Sequence, residues 1–163
     1  MKTTPKSLFI ISTLALVLSG RTFAATTNAS ATATLEPHGG YIFQEFTWID
    51  APASLPKGAQ MALLESAPNK AGMFTVRLKL PAGYRIPPHW HPADEHVTVI
   101  SGLLNIAMAP NYDSSHSKAM GAGSFALMPA KMHHAAWADV ETVIQLHGVG
   151  PWQINYVNPA DKP

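Results

Sequence analysis

The chain has 163 residues, of which 47% are hydrophobic, with a formal net charge of +1 and no cysteine. This length suffices for one domain with a hydrophobic core, and the small charge without a basic run argues against nucleic acid as a partner. Since no disulfide can form, we expect the core, a bound metal or a dimer to stabilise the fold.

The first 24 residues are predicted to be a secretory signal peptide. Lys2 and Lys6 precede an apolar stretch over residues 8–18, and small residues come just before Ala25. This stretch is shorter than the roughly 20 residues of a membrane-spanning helix, so we expect no stable membrane anchor. Cleavage near Ala25 removes two lysines and one arginine, which leaves a soluble, periplasmic or secreted chain with a net charge near −2.

The mature chain is predicted to be one all-β domain behind a flexible leader. Residues 25–40 are rich in alanine and threonine and form the leader, whereas residues 41–163 form the domain. Short strand-like runs in the domain are separated by proline, glycine and asparagine, which is typical of a β-sandwich or barrel. The predicted strands cover residues 41–48, 60–65, 73–80, 96–100, 103–108, 125–128, 142–148 and 152–157.

Two histidines and a carboxylate lie close together in residues 83–102, namely His89, His91 and Glu95. Three prolines in this segment exclude a helix. In the extended chain that remains, alternate side chains point the same way, so His89 and His91 are predicted to be neighbours on one face. Glu95 can return as a third ligand after a turn at Pro92. Such nitrogen and oxygen donors suit Zn, Mn, Fe, Ni or Cu better than Ca or Mg.

A second segment, residues 123–137, supplies a further candidate ligand. It contains a short apolar strand, a turn at Pro129 and a histidine pair that opens the next strand. Neighbouring residues on a strand face opposite sides, so only one of His133 and His134 can point inward.

Together the two segments resemble the two motifs of the cupin superfamily. The first motif has the pattern glycine, five residues, His-x-His, three or four residues, glutamate, six residues, glycine. It fits Gly83, His89, His91, Glu95 and Gly102.

The second family motif has the pattern glycine, five residues, Pro-x-Gly, two residues, histidine, three residues, asparagine. It fits Gly123, Pro129 and His134, and it selects His134 over its neighbour His133. The chain departs from the motif at Lys131, where the family has a turn glycine, and at Ala138, where it has asparagine. We therefore expect the loop before His134 to be strained or to have another turn type.

The resemblance covers roughly residues 59–157 and implies a small cupin-like jelly-roll barrel, also called a double-stranded β-helix. It further implies a divalent transition metal (Fe, Mn, Zn, Ni or Cu) held by His89, His91, Glu95 and His134. Cupins have diverse functions, so the fold does not choose among them. The leading prediction is a metal-dependent dioxygenase that cleaves a small aromatic or enol substrate. The alternative is a non-catalytic barrel that binds a small molecule or metal for sensing or sequestration.

Three further residues are pocket candidates. Strand alternation puts Arg85 on the side of His89 and His91, where it could hold an anionic substrate, although a solvated arginine at the rim is the alternative. Gln145 and His147 share one face of the predicted strand 142–148. That face either lines the pocket or is the solvated outer one, and periodicity alone does not decide between them.

The resemblance also implies a homodimer, because cupins commonly pair through an N-terminal strand. Residues 41–48 are aromatic-rich and strand-forming, and they lie outside the two motifs. An uncovered edge strand is a template for pairing, so we expect a partner copy to bury it. The alternative is that this strand folds back onto its own barrel.

Overall fold

Eleven strands run through residues 46–163, the part of the chain that the computed structural model describes. The remaining regular elements in this part are two single 3₁₀ turns, Ser114–His116 and Pro159–Asp161. The strands are β1 (Ile49–Asp50), β2 (Gln60–Glu65), β3 (Gly72–Leu80), β4 (Tyr84–Trp90), β5 (Glu95–Ser101), β6 (Leu103–Met108), β7 (Ser117–Gly121), β8 (Phe125–Met128), β9 (His134–Ala138), β10 (Thr142–Gly150) and β11 (Asn155–Tyr156).

The strands form two antiparallel sheets that pack as a jelly-roll sandwich, so the predicted all-β fold class is confirmed. One sheet has the strand order β1-β2-β3-β10-β5-β8, and the other has the order β11-β4-β9-β6-β7. Consecutive strands repeatedly cross from one sheet to the other. As a result β4 and β5, which follow each other in the chain, end on opposite sides of the interior.

The interior is filled by side chains that alternate along each strand. In β3, Phe74, Val76, Leu78 and Leu80 are buried, whereas the intervening Thr75, Arg77 and Lys79 lie on the outer side. Period-two alternation of this kind places one apolar face of each sheet against the other. Burial of each such side chain contributes about 1.5–3 kcal/mol, so this apolar layer is the main source of stability in a protein without disulfides.

Most of the predicted strands are present. The predictions for β2, β6 and β8 match residue for residue, and β3, β5 and β10 extend the predicted ranges by one or two residues at an end. The prediction for residues 152–157 was too long, because only Asn155–Tyr156 is a strand. Strand β7 was not predicted, since its sequence SKAMG has neither alternation nor β-branched residues.

The N-terminal part of the domain differs from the prediction. Of the predicted strand 41–48, residues 41–45 lie outside the described residues, and residues 46–48 are not in a strand. The Arg77 guanidinium lies 4.6 Å from the centre of the Phe46 ring, and the Lys79 ammonium lies 4.4 Å from the centre of the Trp48 ring. Residues 46–48 therefore contact the outer face of their own sheet, as in the alternative in which the segment folds back.

The turn from β5 to β6 shows why the first motif ends in glycine. Gly102 has a φ of +81°, in the left-handed region that favours glycine. A Cβ here would also lie 2.6 Å from the Thr142 hydroxyl oxygen. That hydroxyl accepts from the Leu103 amide at 3.0 Å, so it is already engaged in closing the same turn. Both the backbone angle and the space require glycine.

No helix in residues 46–163 has the length and apolar character needed to cross a membrane.

Candidate metal centre

Two histidines of the site come from β4 and the residue that follows it. The pairing of β4 with β9 shifts register between Ile86 and His89, where β4 carries one extra residue. Pro87 and Pro88 occupy this bulge, and because proline has no amide hydrogen, neither can donate to the ladder with β9. The bulge turns both Ile86 and His89 inward. His91 lies two residues further on, buried on the same side.

Glu95 and His134 complete the cluster from two other strands. His134 opens β9 and lies opposite His89 in the sheet, whereas Glu95 opens β5 in the other sheet. Three imidazoles from one side of the sandwich thus face a carboxylate from the other side. All four side chains are buried, with 2% exposure for His134, 3% for His89 and for His91, and 6% for Glu95.

The donor atoms converge at the distances expected around one ion. One ring nitrogen from each of the three histidines lies within 4.8 Å of the other two. The Glu95 Oε2 atom lies 3.5 Å from His91 Nε2 and 3.3 Å from His134 Nε2. Metal–ligand bonds of about 2.1 Å place adjacent donor atoms about 3.0–3.5 Å apart. The two distances from Glu95 lie in or near this range, and the three ring nitrogens are close enough together for one ion to lie among them.

Backbone carbonyls fix the tautomer of each histidine. Each Nδ1 atom lies within hydrogen-bond distance of a backbone carbonyl oxygen. The distance is 2.7 Å between His89 and the Pro87 carbonyl, 2.9 Å between His91 and the Gln153 carbonyl, and 3.1 Å between His134 and the Met132 carbonyl. A carbonyl oxygen can only accept, so each Nδ1 carries the hydrogen and each neutral ring keeps a free lone pair on Nε2. The Nε2 atom of His91 is buried and has no hydrogen-bond partner within residues 46–163. A metal would satisfy it.

Burial sets the charge state of the cluster. Burial, and next the rings of His134 and His91, lower the pKa of His89 to about 3. Burial also lowers the pKa of His91, although Glu95 opposes this effect. Burial alone would raise the pKa of Glu95, but its contacts with His134 and His91 outweigh burial and lower it. At neutral pH, His89 and His91 are therefore neutral and Glu95 is ionised, as metal ligation requires.

Comparison with known proteins agrees with this geometry. A family model described as the ChrR Cupin-like domain matches residues 38–153, which is more than half of the chain. The chain belongs to the ChrR cupin-like family. The predicted membership of the cupin superfamily is thereby confirmed. Among curated proteins, none is significantly similar in sequence.

Several solved structures share the cupin fold. A proposed acetylacetone dioxygenase from Methylibium petroleiphilum PM1 has a TM-score of 0.58 at 19% identity, covering 80% of this chain and 89% of that one. An acetylacetone dioxygenase from Acinetobacter johnsonii has a TM-score of 0.57 at 17% identity, and the match covers 83% of this chain and 87% of that one. The polyketide cyclase RemF from Streptomyces resistomycificus has a TM-score of 0.57 at 13% identity, with 75% and 88% covered. At these identities the likeness shows the fold alone.

The departure from the cupin motif at Lys131 has a structural consequence. Lys131 has a φ of +65°, so it adopts the left-handed conformation that the family's glycine would adopt without strain. Its amide donates to the His91 carbonyl oxygen at 2.7 Å, which ties the loop before His134 to the first histidine pair. The loop is thus the strained version of the family turn, one of the two expected alternatives. His133 is exposed and His134 is buried, as the motif spacing predicted.

Arg85 lies outside the interior, so the argument that placed it beside the histidines was wrong. Unbroken alternation along β4 would place Arg85 on the side of His89, but the bulge between Ile86 and His89 reverses the alternation. The Arg85 side chain is 65% exposed, lies 3.6 Å from the Asp139 carboxylate and packs over the Trp137 ring at 5.6 Å. It matches the alternative of a solvated arginine.

Gln145 and His147 share one face of β10, as predicted, and that face is the outer one. Gln145 lies between Arg77 and Thr98 in the sheet and accepts from the Arg77 Nε at 3.2 Å. His147 lies opposite His96, and their rings stack with centroids 4.7 Å apart. Neither residue lines the cavity at the metal cluster, whose apolar wall comes instead from Ile144 and Leu146 of the same strand.

Trp152 is a residue of the site that sequence reasoning missed. Its indole stacks on the His91 imidazole, with ring centroids 4.1 Å apart and planes inclined by 18°. The next residue, Gln153, supplies the carbonyl that fixes His91. Both residues lie outside the two motifs, so the only signal in the sequence was an aromatic residue in a predicted strand.

Proposed function

We propose that this cupin is a metal-dependent dioxygenase that acts on a small organic molecule, with His89, His91, Glu95 and His134 as the metal ligands. One observation carries the proposal. One ring nitrogen from each of three histidines and one carboxylate, all buried, converge in an otherwise apolar cavity. Such a cluster without a cation would leave buried lone pairs facing one another, which is costly.

The donor set fits a divalent transition metal such as Fe, Mn, Zn, Ni or Cu. Three neutral imidazoles and one carboxylate suit these ions better than Ca or Mg, which prefer oxygen ligands. A bound metal of this class supplies Lewis acidity and, for Fe, Mn or Cu, one-electron chemistry. The chain's own residues hold the rings in one tautomer, and the apolar wall of the cavity excludes water from the reacting end of a substrate.

Two of the similar structures are named acetylacetone dioxygenases, which makes dioxygen chemistry the first activity to test. Since the likeness at 17–19% identity concerns the fold, the support for catalysis comes from the site. Among the described residues, the side chains that line the metal cavity include no acid or base beyond the four candidate ligands. A reaction here therefore has to proceed through the metal and not through a separate proton donor.

The lack of a further acid or base in the described cavity wall favours a second candidate function, a non-catalytic barrel that captures a small molecule or metal. A binding protein needs no additional acid or base in its pocket, whereas many enzymes use one. The two candidates share the metal ligands and differ in whether oxygen is consumed.

Metal analysis of protein purified from its native compartment, followed by oxygen-uptake measurements with acetylacetone as the probe, tests the proposal. We expect about one metal per chain and metal-dependent oxygen uptake. Glu95→Gln should lower both, whereas the matched variant Glu141→Gln, at an exposed position, should lower neither. Metal without oxygen uptake on acetylacetone and related enols would support the binding protein. Absence of metal in both wild type and Glu95→Gln would contradict the dioxygenase and the metal-binding barrel, and would leave only a barrel that binds a small molecule without metal.

We also propose that the protein is exported and acts in the periplasm or outside the cell. The predicted signal peptide, residues 1–24, lies outside the described residues, and its short apolar stretch supports the proposal. N-terminal sequencing of the exported protein should find Ala25 or a neighbouring residue first. A retained Met1, or a product that stays with membranes after a salt wash, would contradict it.

A homodimer stays a proposal, supported by the aromatic residues 41–48 ahead of the domain. Light scattering should report a dimer for the mature chain and a monomer for a truncated protein that begins at Ala51. A monomeric mature chain at tens of micromolar would contradict the dimer and agree with the contacts of Phe46 and Trp48 with their own sheet.

A further inference from the structure

Two neighbouring cavities lie in this part of the sandwich. The inner cavity, at the metal cluster, has a volume of about 40 Å³. A second cavity, which we call the outer chamber, has a volume of about 360 Å³ and is bounded by the loop 52–55, β2 and the segments 67–69 and 152–154. The two cavities share five wall residues: Leu55, Leu78, Leu146, Trp152 and Ile154.

The volumes limit what the inner cavity can hold. A volume of about 40 Å³ has room for a few non-hydrogen atoms at most, on the scale of a few water molecules. A substrate larger than this can place only its reacting end among the ligands. The rest of the molecule has to occupy adjacent space, and the outer chamber, which shares five wall residues with the inner cavity, lies next to the cluster.

In the part of the chain that the structure describes, no charged side chain lines the outer chamber. They are formed mainly by aliphatic residues of β2 and β3, such as Met61, Leu63 and Val76. Ser54, Asn69 and Gln153 are its polar members. Apolar surroundings without a counter-charge penalise phosphates, polyanions and heavily hydroxylated sugars, whose desolvation would be uncompensated. The chamber suits an uncharged, apolar body.

Trp152 lies at the junction of the two cavities. Its ring packs between Phe74, at a centroid distance of 5.8 Å, and His91, at 4.1 Å. Its backbone amide donates to the Pro68 carbonyl oxygen at 2.7 Å, which anchors the segment. Its indole Nε1 is buried, and among the described residues it has no hydrogen-bond partner. A buried N–H without a partner is costly, and an oxygen atom of a ligand would satisfy it.

Building on the proposed metal centre, we propose that the outer chamber binds the apolar body of the substrate, an uncharged oxygen-bearing molecule of the ketone, enol or phenol class. Trp152 is the specificity-determining residue at its inner end. The substrate's oxygen-bearing end reaches past Trp152 toward the ligand cluster and accepts a hydrogen bond from the indole Nε1–H. Its hydrocarbon part stays between β2 and the segment that follows β10.

A homologous series of diketones tests the chamber. Acetylacetone, dipropionylmethane and dibutyrylmethane are titrated into metal-loaded protein, with dissociation constants measured by calorimetry. Each methylene buried in an apolar chamber should lower Kd about fourfold. Ala67→Trp, which fills the chamber from its wall, should remove the gain with chain length. The control Ala53→Trp lies outside the chamber wall at an exposed position and should keep the gain.

Trp152→Phe tests the hydrogen bond separately. It should raise Kd for every diketone about three- to tenfold, because it removes one neutral donor and keeps an aromatic ring against His91. The dependence on chain length should stay unchanged. Equal affinities for wild type and Trp152→Phe would overturn the role of the indole N–H.

The outcomes separate the chamber from the metal centre. If wild-type protein binds metal and consumes oxygen but binds all three diketones with equal affinity, the proposed role of the chamber is wrong and the proposed function stands. If the protein binds no metal but its affinity for the diketones rises with chain length, the proposed function is wrong and the proposed role of the chamber stands.

Discussion

The inner histidine cluster and the outer histidine pair use the same side chain in two ways. The cluster (His89, His91 and His134) lies between the sheets, whereas the pair (His96 and His147) lies on the outer face of the six-stranded sheet. In the cluster each Nδ1 donates to a carbonyl, so the Nε2 atoms point at one another and at a carboxylate. In the pair the two rings stack with planes inclined by 14°. The stack packs the rings against each other but does not direct their nitrogen atoms toward a common point.

The contrast is sharpest at Glu95 and His96, which are adjacent in the chain and face opposite sides of β5. Glu95 contacts the cluster, whereas His96 packs near Phe125, and its buried Nδ1 has no hydrogen-bond partner among residues 46–163. What makes a histidine a candidate ligand here is a backbone carbonyl that fixes its tautomer and a converging set of donors. Residue type and closeness in sequence are not enough.

Removal of a cluster ligand should have the largest effect. We expect His89→Ala, His91→Ala, Glu95→Ala and His134→Ala each to lower metal affinity by more than about 100-fold, since removal even of supporting partners costs 10- to 100-fold. The metal-dependent rise in melting temperature should disappear with it. Elemental analysis and melting curves measure both.

The outer face provides the controls for these substitutions. His96→Ala, and likewise His133→Ala at the exposed neighbour of His134, should keep the metal content of wild type. Loss of metal in His133→Ala together with its retention in His134→Ala would show that the ligand assignment within that pair is wrong. Loss of metal in His96→Ala would break the distinction between the two faces.

Acid should destabilise the metal-free protein through the cluster. The pKa of His89 is about 3 when folded and about 6.5 when unfolded, so the unfolded chain binds the extra proton. The free energy of unfolding should therefore fall as pH drops from about 6.5 toward 3, by up to about 1.4 kcal/mol per pH unit from this group. The lowered pKa of Glu95 acts in the same direction at the acid end, because its stabilisation is lost as pH falls through the folded pKa.

Urea denaturation across this pH range, with metal removed by a chelator, measures the effect. His89→Ala should flatten the upper part of the pH dependence. On the outer face, burial and then His96 lower the pKa of His147, but this ring is far more accessible, so His147→Gln should flatten it less. Parallel pH profiles for wild type and His89→Ala would contradict the buried, neutral state of His89.

Lys131→Gly should stabilise the loop that carries His134. Lysine at a φ of +65° costs about 1 kcal/mol that glycine avoids, although glycine also has more freedom when unfolded. We expect a net gain of no more than about 0.6 kcal/mol in the free energy of unfolding, measured by urea denaturation. Ala130→Gly is the matched control: its φ is not positive, so it should destabilise. Destabilisation by Lys131→Gly would show that the lysine side chain contributes contacts that outweigh the strain.

Substitution of the outer pair should have the smallest effect. His147→Thr replaces a half-buried ring on a strand with a good strand former, so the free energy of unfolding should change by no more than about 0.5 kcal/mol. Metal content should not change. A decrease of several kcal/mol in the free energy of unfolding would mean that the stack of His147 with His96 contributes substantially to stability.

The sequence by itself determined most of the strands, the family and the placement of His89 and His91 on one face. Alternation along β3, β5 and β10 is local, and so is the spacing of the two motifs, and these are the features that a chain can express without its tertiary partners. The choice of His134 over His133 followed from the same local spacing.

Tertiary structure decided which way the remaining side chains face. The bulge at Pro87 and Pro88 exists because β4 must pair with β9 across two residues that cannot donate, and it reversed the side on which Arg85 lies. The outer position of Gln145 and His147 depends on which sheet packs against β10. The contact of Trp152 with His91 arises because the chain after β10 returns across the mouth of the sandwich. Each of these depends on contacts between residues distant in sequence, which no local pattern encodes.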